Sequence, residues 1–209
     1  MAAEQLNVVL CWHMHQPFYR EGLDGDFRLP WVYLHGLKDY TDMAAHLEQH
    51  PAMHAVVDFA PVLLEQIDIY AQQLSDWLTR GAVMADPLLN LLAGATEIPR
   101  DATARQQLIA DCKRCNPATM VEPYPAFSRL MSWTRHCDPD AHDEAHFDAG
   151  QVPLEYLSEA YFVDLLVWYH LAWTGYSLRQ HKTIQGLMAQ QTGFSLADRR
   201  ALVEVIHDA

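Results

Sequence analysis

The stretch CWHMHQPFY, Cys11 to Tyr19, sets two histidines two residues apart at the end of an apolar run. Side chains two apart on a strand share a face, so His13 and His15 can converge on one ligand. Imidazoles so placed hold a metal, hydrogen-bond a substrate, or simply decorate an exposed strand end. Zinc requires a third protein ligand, and the sequence nominates only Asp58, which follows a second apolar run. Gln16-Pro17 reads as the turn that ends the strand, with the glutamine amide offering hydrogen bonds to hydroxyl groups. Trp31 and His35, on the loop leaving the first strand, are further candidates for substrate contact. For Trp31 a packing role is the equal alternative.

Three other groups have chemistry to weigh. CKRC (112–115), with His136-Cys137 some way on, has the ingredients of a zinc knuckle. The second half lacks a Cys-x-x-Cys, and Cys112 and Cys115 lie a turn apart in a helical pattern, where cysteine is a small core residue. HCDPDAHDEAHFD (136–148) can coordinate a cation or be a solvated loop. Trp168, Tyr169 and Trp173 can form a platform for stacking sugars. On a helix that is apolar nearly all round, core packing is the stronger reading.

The elements that must position these groups begin with two buried strands, LNVVLCW (6–12) and HAVVDFA (54–60). Their near-continuous apolarity predicts cover on both faces, as in parallel α/β sheets. Between them a helix is predicted before Pro51, capped by Thr41 or Asp39, with Met43, Ala44 and Leu47 as its buried stripe. Strand, helix and strand make a right-handed βαβ unit. A second helix opens at Pro61 and stops at Gly81, with Val62, Ile67, Tyr70, Leu74 and Trp77 on one face. From residue 82 the pattern is one of short, proline-punctuated helices, with no strand beyond residue 60. An acidic loop follows (134–153), then a long buried helix beginning near Leu154. Ser195 with Asp198 predicts the N-cap of a last helix. Two parallel strands do not make a stable sheet alone, so the chain reads as the N-terminal part of a larger α/β protein.

Composition narrows the partners. The net charge of −13 disfavours nucleic-acid backbones and anionic membranes, and is compatible with a neutral ligand such as a sugar. There is no basic n-region ahead of the first apolar run and no window approaching the ~20 apolar residues of a membrane span. A cytoplasmic protein with free thiols, without cofactor or metal, is the expectation.

HMHQP at the end of the first strand resembles the opening signature of glycoside hydrolase family 57, which contains α-amylases, 4-α-glucanotransferases and branching enzymes. The likeness extends through LPWVYLHGLKDYTDMAAHLEQHP and HAVVDFAPVLLEQI, where the family usually has Asn or a similar polar residue at the Asp58 position. It resumes weakly at EPYPAFSRL and DLLVWYHLAWTG. The resemblance implies a (β/α)7 barrel and a retaining mechanism on α-1,4 or α-1,6 glucosidic bonds. It implies that His15, and His13 as the preceding histidine of the signature, hydrogen-bond sugar hydroxyls where the bond breaks. The expected domain plan is a βαβα segment of the barrel over 1–81, a helical insertion over 82–194, and a helix returning to the barrel over 195–209. Retaining glycosidases need two carboxyls about 5 to 5.5 Å apart. None in the chain matches the family's nucleophile or acid, which are expected beyond residue 209; Glu65 and Asp68 read as surface helix residues. The substrate-binding set is therefore His13, His15, Gln16, Trp31, His35 and Asp58, the partner an α-glucan or maltooligosaccharide. The rivals are a metal-dependent carbohydrate deacetylase or zinc mannosidase, and a non-catalytic glucan-binding module.

Overall fold

The computed structural model describes residues 8–135 and 154–209. Two strands, β1 (Leu10–Met14) and β2 (Ala55–Phe59), pair in parallel as a two-stranded sheet, with His13 opposite Asp58 in the register. The predicted strands are both present, the first displaced toward the histidines. The cover predicted for both faces is not there among the described residues. Val8, Val9, Leu10, Val56, Val57 and Phe59 are all exposed, and only Met14 is buried at the strand end. The apolar runs are consistent with a buried strand, but the described helices pack elsewhere.

The crossover is helical from Trp31, earlier than predicted. α1 (Trp31–His35) runs through a π-helical turn (Gly36–Tyr40) into α2 (Thr41–Gln49) without a break. Neither Thr41 nor Asp39 is a cap, because no helix starts there. Thr41 Oγ1 instead donates to the Gly36 carbonyl at 2.6 Å, beside the Thr41 backbone N–H that bonds the same oxygen across the π turn. The predicted stripe is also displaced. α2 has no buried residue and Ala44 is exposed, while Val32, Tyr33, Leu34 and Leu37 supply the burial one and two turns earlier.

α3 (Pro61–Arg80) starts and stops as expected, with Pro61 in its first turn and Gly81 in the left-handed conformation that ends it. Its buried face is Leu63, Gln66, Tyr70, Leu74 and Trp77, one position round from Val62 and Ile67 at its start. Gln66 explains the shift. Its amide is completely buried, donating to the Pro17 and Val62 carbonyls and accepting from the Tyr19 backbone N–H at 2.9 Å. A buried amide is tolerated only when so satisfied, and here it holds the chain just after β1.

The short helices α4 (Pro87–Ala93), α5 (Ala102–Cys112) and α6 (Pro125–Arg135) surround α7 (Glu159–Ala172), and α8 (Lys182–Gln190) and α9 (Leu196–Asp208) complete the chain. Every residue of α7 from Phe162 onward is buried, in agreement with its all-round apolarity. Full burial of residues such as Leu165, Leu166 and Leu171 is worth about 1.5–3 kcal/mol each. Ser195 caps α9 in a reciprocal capping box with Asp198. Arg105 ties the segment after residue 153 to α5 by donating to the Leu154 and Leu157 carbonyls. Residues 136–153, with His136, Cys137 and the acidic tract, lie outside the described residues.

Two buried ionisable groups oppose one another. Burial pushes Asp86 up to about 6, against the Leu88 and Leu89 N–H groups and the Tyr70 hydroxyl that stabilise its charge. Burial pushes His170 down to about 4. Its Nδ1–H donates to the Leu166 carbonyl, so Nε2 accepts from the Tyr33 hydroxyl at 2.9 Å. Asp86 holds its proton more tightly folded than unfolded, so its contribution to stability falls as pH rises from 3.8 towards about 6. His170 holds its proton less tightly folded, so its contribution is lost as pH falls from 6.5 towards about 4. Replacing Asp86 by Asn keeps a good cap and leaves His170 unopposed. In Asp86→Asn the unfolding free energy, measured by urea denaturation, will depend more steeply on pH between about 4 and 6, by up to about 1.4 kcal/mol per unit. An unchanged slope would contradict the titration of Asp86 in that window.

The end of α7 meets the π turn closely. Gly175 N–H donates to the Leu37 carbonyl at 2.9 Å, and a Cβ at Gly175 would lie 2.6 Å from the Lys38 carbonyl oxygen and 2.5 Å from Asp42 Oδ2. The substitution Gly175→Ala is expected to cost about 1–3 kcal/mol, read as a lower urea midpoint; an unaltered midpoint would show that the two segments separate freely.

Candidate active-site groove

The strand pleat sends Met14 into the core and His13 and His15 to the open face. Their rings lie parallel, with centroids 6.0 Å apart. Asp58, in register on β2, accepts from His13 Nδ1 at 2.7 Å. With side chains 65% and 60% exposed, the pair contributes little to stability. The three residues do come together, as the spacing predicts. No group of three or more metal-holding side chains occurs among the described residues.

Gln16 turns the other way, into a groove of about 590 Å³ lined also by Tyr19, Trp31, His35, Lys38 and Trp173. Its amide is oriented at both ends. Tyr19 Oη donates to Oε1 at 2.8 Å, and Nε2 donates to Tyr40 Oη at 3.2 Å. One amide proton and one lone pair remain for a ligand. Burial, with the Tyr40 hydroxyl nearby, pushes the Tyr19 phenol up and keeps it a donor.

Trp31 and His35 are on α1, not on a loop, and stand a turn apart along one face. Trp31 packs against Trp173 with ring centroids at 5.6 Å, and His35 meets Trp173 edge-on at 5.4 Å. His35 Nδ1 donates to Asp39 Oδ2 at 2.5 Å. The bond from His35, acting against partial burial and assisted by Lys38, holds the Asp39 carboxyl below its usual range. A charged carboxylate only accepts, so Nδ1 carries the proton and Nε2 is the free nitrogen. Lys38 binds Asp39 at 3.0 Å and lies 5.9 Å over the Trp173 ring.

Trp173 is held by the segment that follows it. Asp42 accepts from the Tyr176 and Ser177 N–H groups at 2.6 and 2.8 Å and from the Ser177 hydroxyl. Burial works to raise the Asp42 carboxyl, but these bonds outweigh it and hold the group below its usual range.

The chemistry on offer is aromatic surface edged by amide, imidazole, hydroxyl and ammonium groups, with Asn116 and Thr119 on the far rim. That combination packs the apolar face of a ring and hydrogen-bonds its hydroxyls. Among the described residues, no carboxylate lines the groove. Trp168, Tyr169 and Trp173 are core residues, as the apolar helix predicts, yet Trp173 also forms a groove wall, which its position on an all-apolar helix conceals. Tyr19, Lys38 and Tyr40 were not legible as site residues; the π turn that gathers Lys38 and Tyr40 has no signature in the sequence. Cys112 is buried and Cys115 half-buried, both free, and burial raises the Cys115 thiol to about 11 and Cys112 well above its usual value. They are packing residues; the knuckle's other half, His136-Cys137, lies outside the described residues.

Residues 9–191 match the family model for glycosyl hydrolase family 57. Comparison with curated proteins and with solved structures gives no significant match. The geometry makes a prediction independent of that match. In His35→Ala the Asp39 carboxyl loses its strongest stabilising bond and will titrate at higher pH, read by carbon-detected NMR of the carboxyl. No movement would show that the His35–Asp39 bond does not form in solution.

Proposed function

The chain belongs to glycosyl hydrolase family 57, and on that premise we propose that it is the glucan-holding part of a retaining enzyme for α-1,4 or α-1,6 glucosidic bonds. The observation that supports this reading is the groove around Gln16, Trp31 and His35, which has aromatic walls and oriented hydrogen-bonding groups but no acid. In this reading Trp31 and Trp173 pack a glucosyl ring, while Gln16 and His35 Nε2 bind hydroxyls. His13, His15 and Asp58 contact the neighbouring sugar from the open sheet face, one residue along the chain from Gln16.

Double displacement needs a nucleophile and an acid/base on either side of the scissile bond. The acidic side chains nearest the groove and the histidines are committed, Asp39 to His35 and Lys38, Asp58 to His13. In this reading the reacting carboxyls lie outside the groove, the two strands belong to a (β/α)7 barrel, and 82–194 is an insertion. The part of the mechanism that falls to this chain is orientation. Fixing the ring against the tryptophans and the hydroxyls against Gln16 and His35 presents the glycosidic oxygen in one pose, which lowers the entropic part of the barrier.

The 209-residue chain is expected to bind maltooligosaccharides without releasing reducing sugar. Trp31→Ala is expected to weaken binding about 5- to 20-fold, equivalent to about 1–2 kcal/mol, measured by calorimetry. Equal binding of cello- and maltooligosaccharides would refute the α-glucan assignment, and cleavage by this chain would refute the placement of the carboxyls.

A further inference from the structure

A second hollow, of about 520 Å³, lies between the 26–30 segment, α4 and α5. Its volume is that of a small-molecule site, and Met84, Leu88 and Leu108 give it an apolar floor. Its charge is unbalanced. Four carboxylates line it, Asp26, Asp86, Glu97 and Asp111, against two guanidinium groups, Arg28 and Arg114. Both arginines are engaged, Arg114 by Asp111 at 3.1 Å and Arg28 by Glu21, which is not part of the lining, at 2.7 Å. Glu97 meets Arg100 at 3.8 Å, with both side chains largely in solvent. Among the described residues, Asp26 and Asp86 enter no ion pair.

Asp86 carries the argument. It is 2% exposed, and a buried charge is ordinarily matched by an opposite one. Here dipoles alone compensate it. Oδ1 accepts from the Leu88 and Leu89 N–H groups at 2.9 and 3.0 Å, and Oδ2 accepts from the Tyr70 hydroxyl at 2.7 Å. A carboxylate has about four acceptor sites, so one on Oδ2 remains. Burial raises the group to about 6, which leaves it charged at neutral pH. The wall of the hollow thus holds a buried anion without a counter-ion. The floor then chooses among cations. A hydrated metal ion gains nothing from Met84, Leu88 and Leu108, whereas the carbon chain of an organic amine is removed from water by them.

We propose that this hollow is a binding site for a small organic ammonium ion, a protonated primary amine on an apolar body, with Asp86 as its counter-ion. The carbon chain lies on the floor between α4 and α5, and the Thr96 hydroxyl, also in the lining, accepts from a second ammonium N–H. Asp26 and Glu97, both exposed, draw the cation in from solvent. The site goes beyond the glucan reading of the groove and does not depend on it, because it takes a different ligand and uses none of the residues assigned to the sugar.

The test is a titration of the 209-residue chain with three probes of one chain length at neutral pH: hexylammonium, 1-hexanol and hexanoate. Binding is read from the NMR shift of the Met84 methyl group. Hexylammonium is expected to bind at least about tenfold more tightly than hexanol, and hexanoate more weakly than either. Asp86→Asn, which keeps the cap of α4, is expected to bring hexylammonium down to the level of hexanol and leave hexanol unchanged. Asp26→Asn, at an exposed position with little risk to folding, is expected to reduce the preference for the ammonium at least about twofold. Equal binding of hexanol and hexylammonium would refute the site, as would a Met84 signal that hexylammonium does not move. A preference that survives Asp86→Asn would show attraction to the acidic surface as a whole and would also refute it.

Discussion

The Asp42 carboxylate is the constraint on which the groove depends. It sits just after the π turn and collects three donors from the chain that leaves α7. Those bonds, with the Gly175 N–H on the Leu37 carbonyl, join a helix near the surface to the most deeply buried helix of the protein. Trp173 lies between the two and is thereby pressed against Trp31 and His35. A groove assembled from α1 and the end of α7 has no local sequence relation between its walls, so its geometry is set by this clamp. The contrast with His13 and Asp58 is instructive. That pair is placed by strand register alone and needs no clamp, but it is exposed and adds little to stability.

What was legible in the sequence followed from local rules. The two strands, Pro61 and Gly81 bounding α3, the buried α7 and the Ser195–Asp198 box all rest on signals within a few residues of one another. The face shared by His13 and His15 follows from the pleat. What was not legible depends on distant contacts. Gln66 displaces the buried face of α3 because it satisfies Tyr19 and Pro17, far away in sequence. The continuous helix from Trp31 has no cap signal because it begins against the core after Pro30. The double role of Trp173, buried on one side and walling the groove on the other, cannot be read from an all-apolar helix.

The sheet is where local pattern and observed packing part. Sequences such as HAVVDFA carry the apolarity of a strand covered on both faces, yet Val56, Val57 and Phe59 are open. Exposed apolar strands are a liability in a finished surface. The sheet surface formed by Val56, Val57 and Phe59 therefore stands open among the described residues. The groove, by contrast, is walled by helices and loops of the described chain.

The π turn has one more consequence, which concerns how the chain tolerates changes in length. A π turn contains one residue more than an α-helix needs for the same span. Removing a residue between Gly36 and Tyr40 would restore a regular helix without loss of hydrogen bonds, and by helix propensity alone would be benign. It would also turn everything that follows by about 100° relative to α1. Asp42 would then swing off Tyr176 and Ser177, and Lys38 would leave the Trp173 ring. The spare residue is therefore a phase adjuster. It lets one continuous helix present its first turn to the groove and its third to the clamp, and it makes the number of residues between Trp31 and Asp42 as restrictive as their identities.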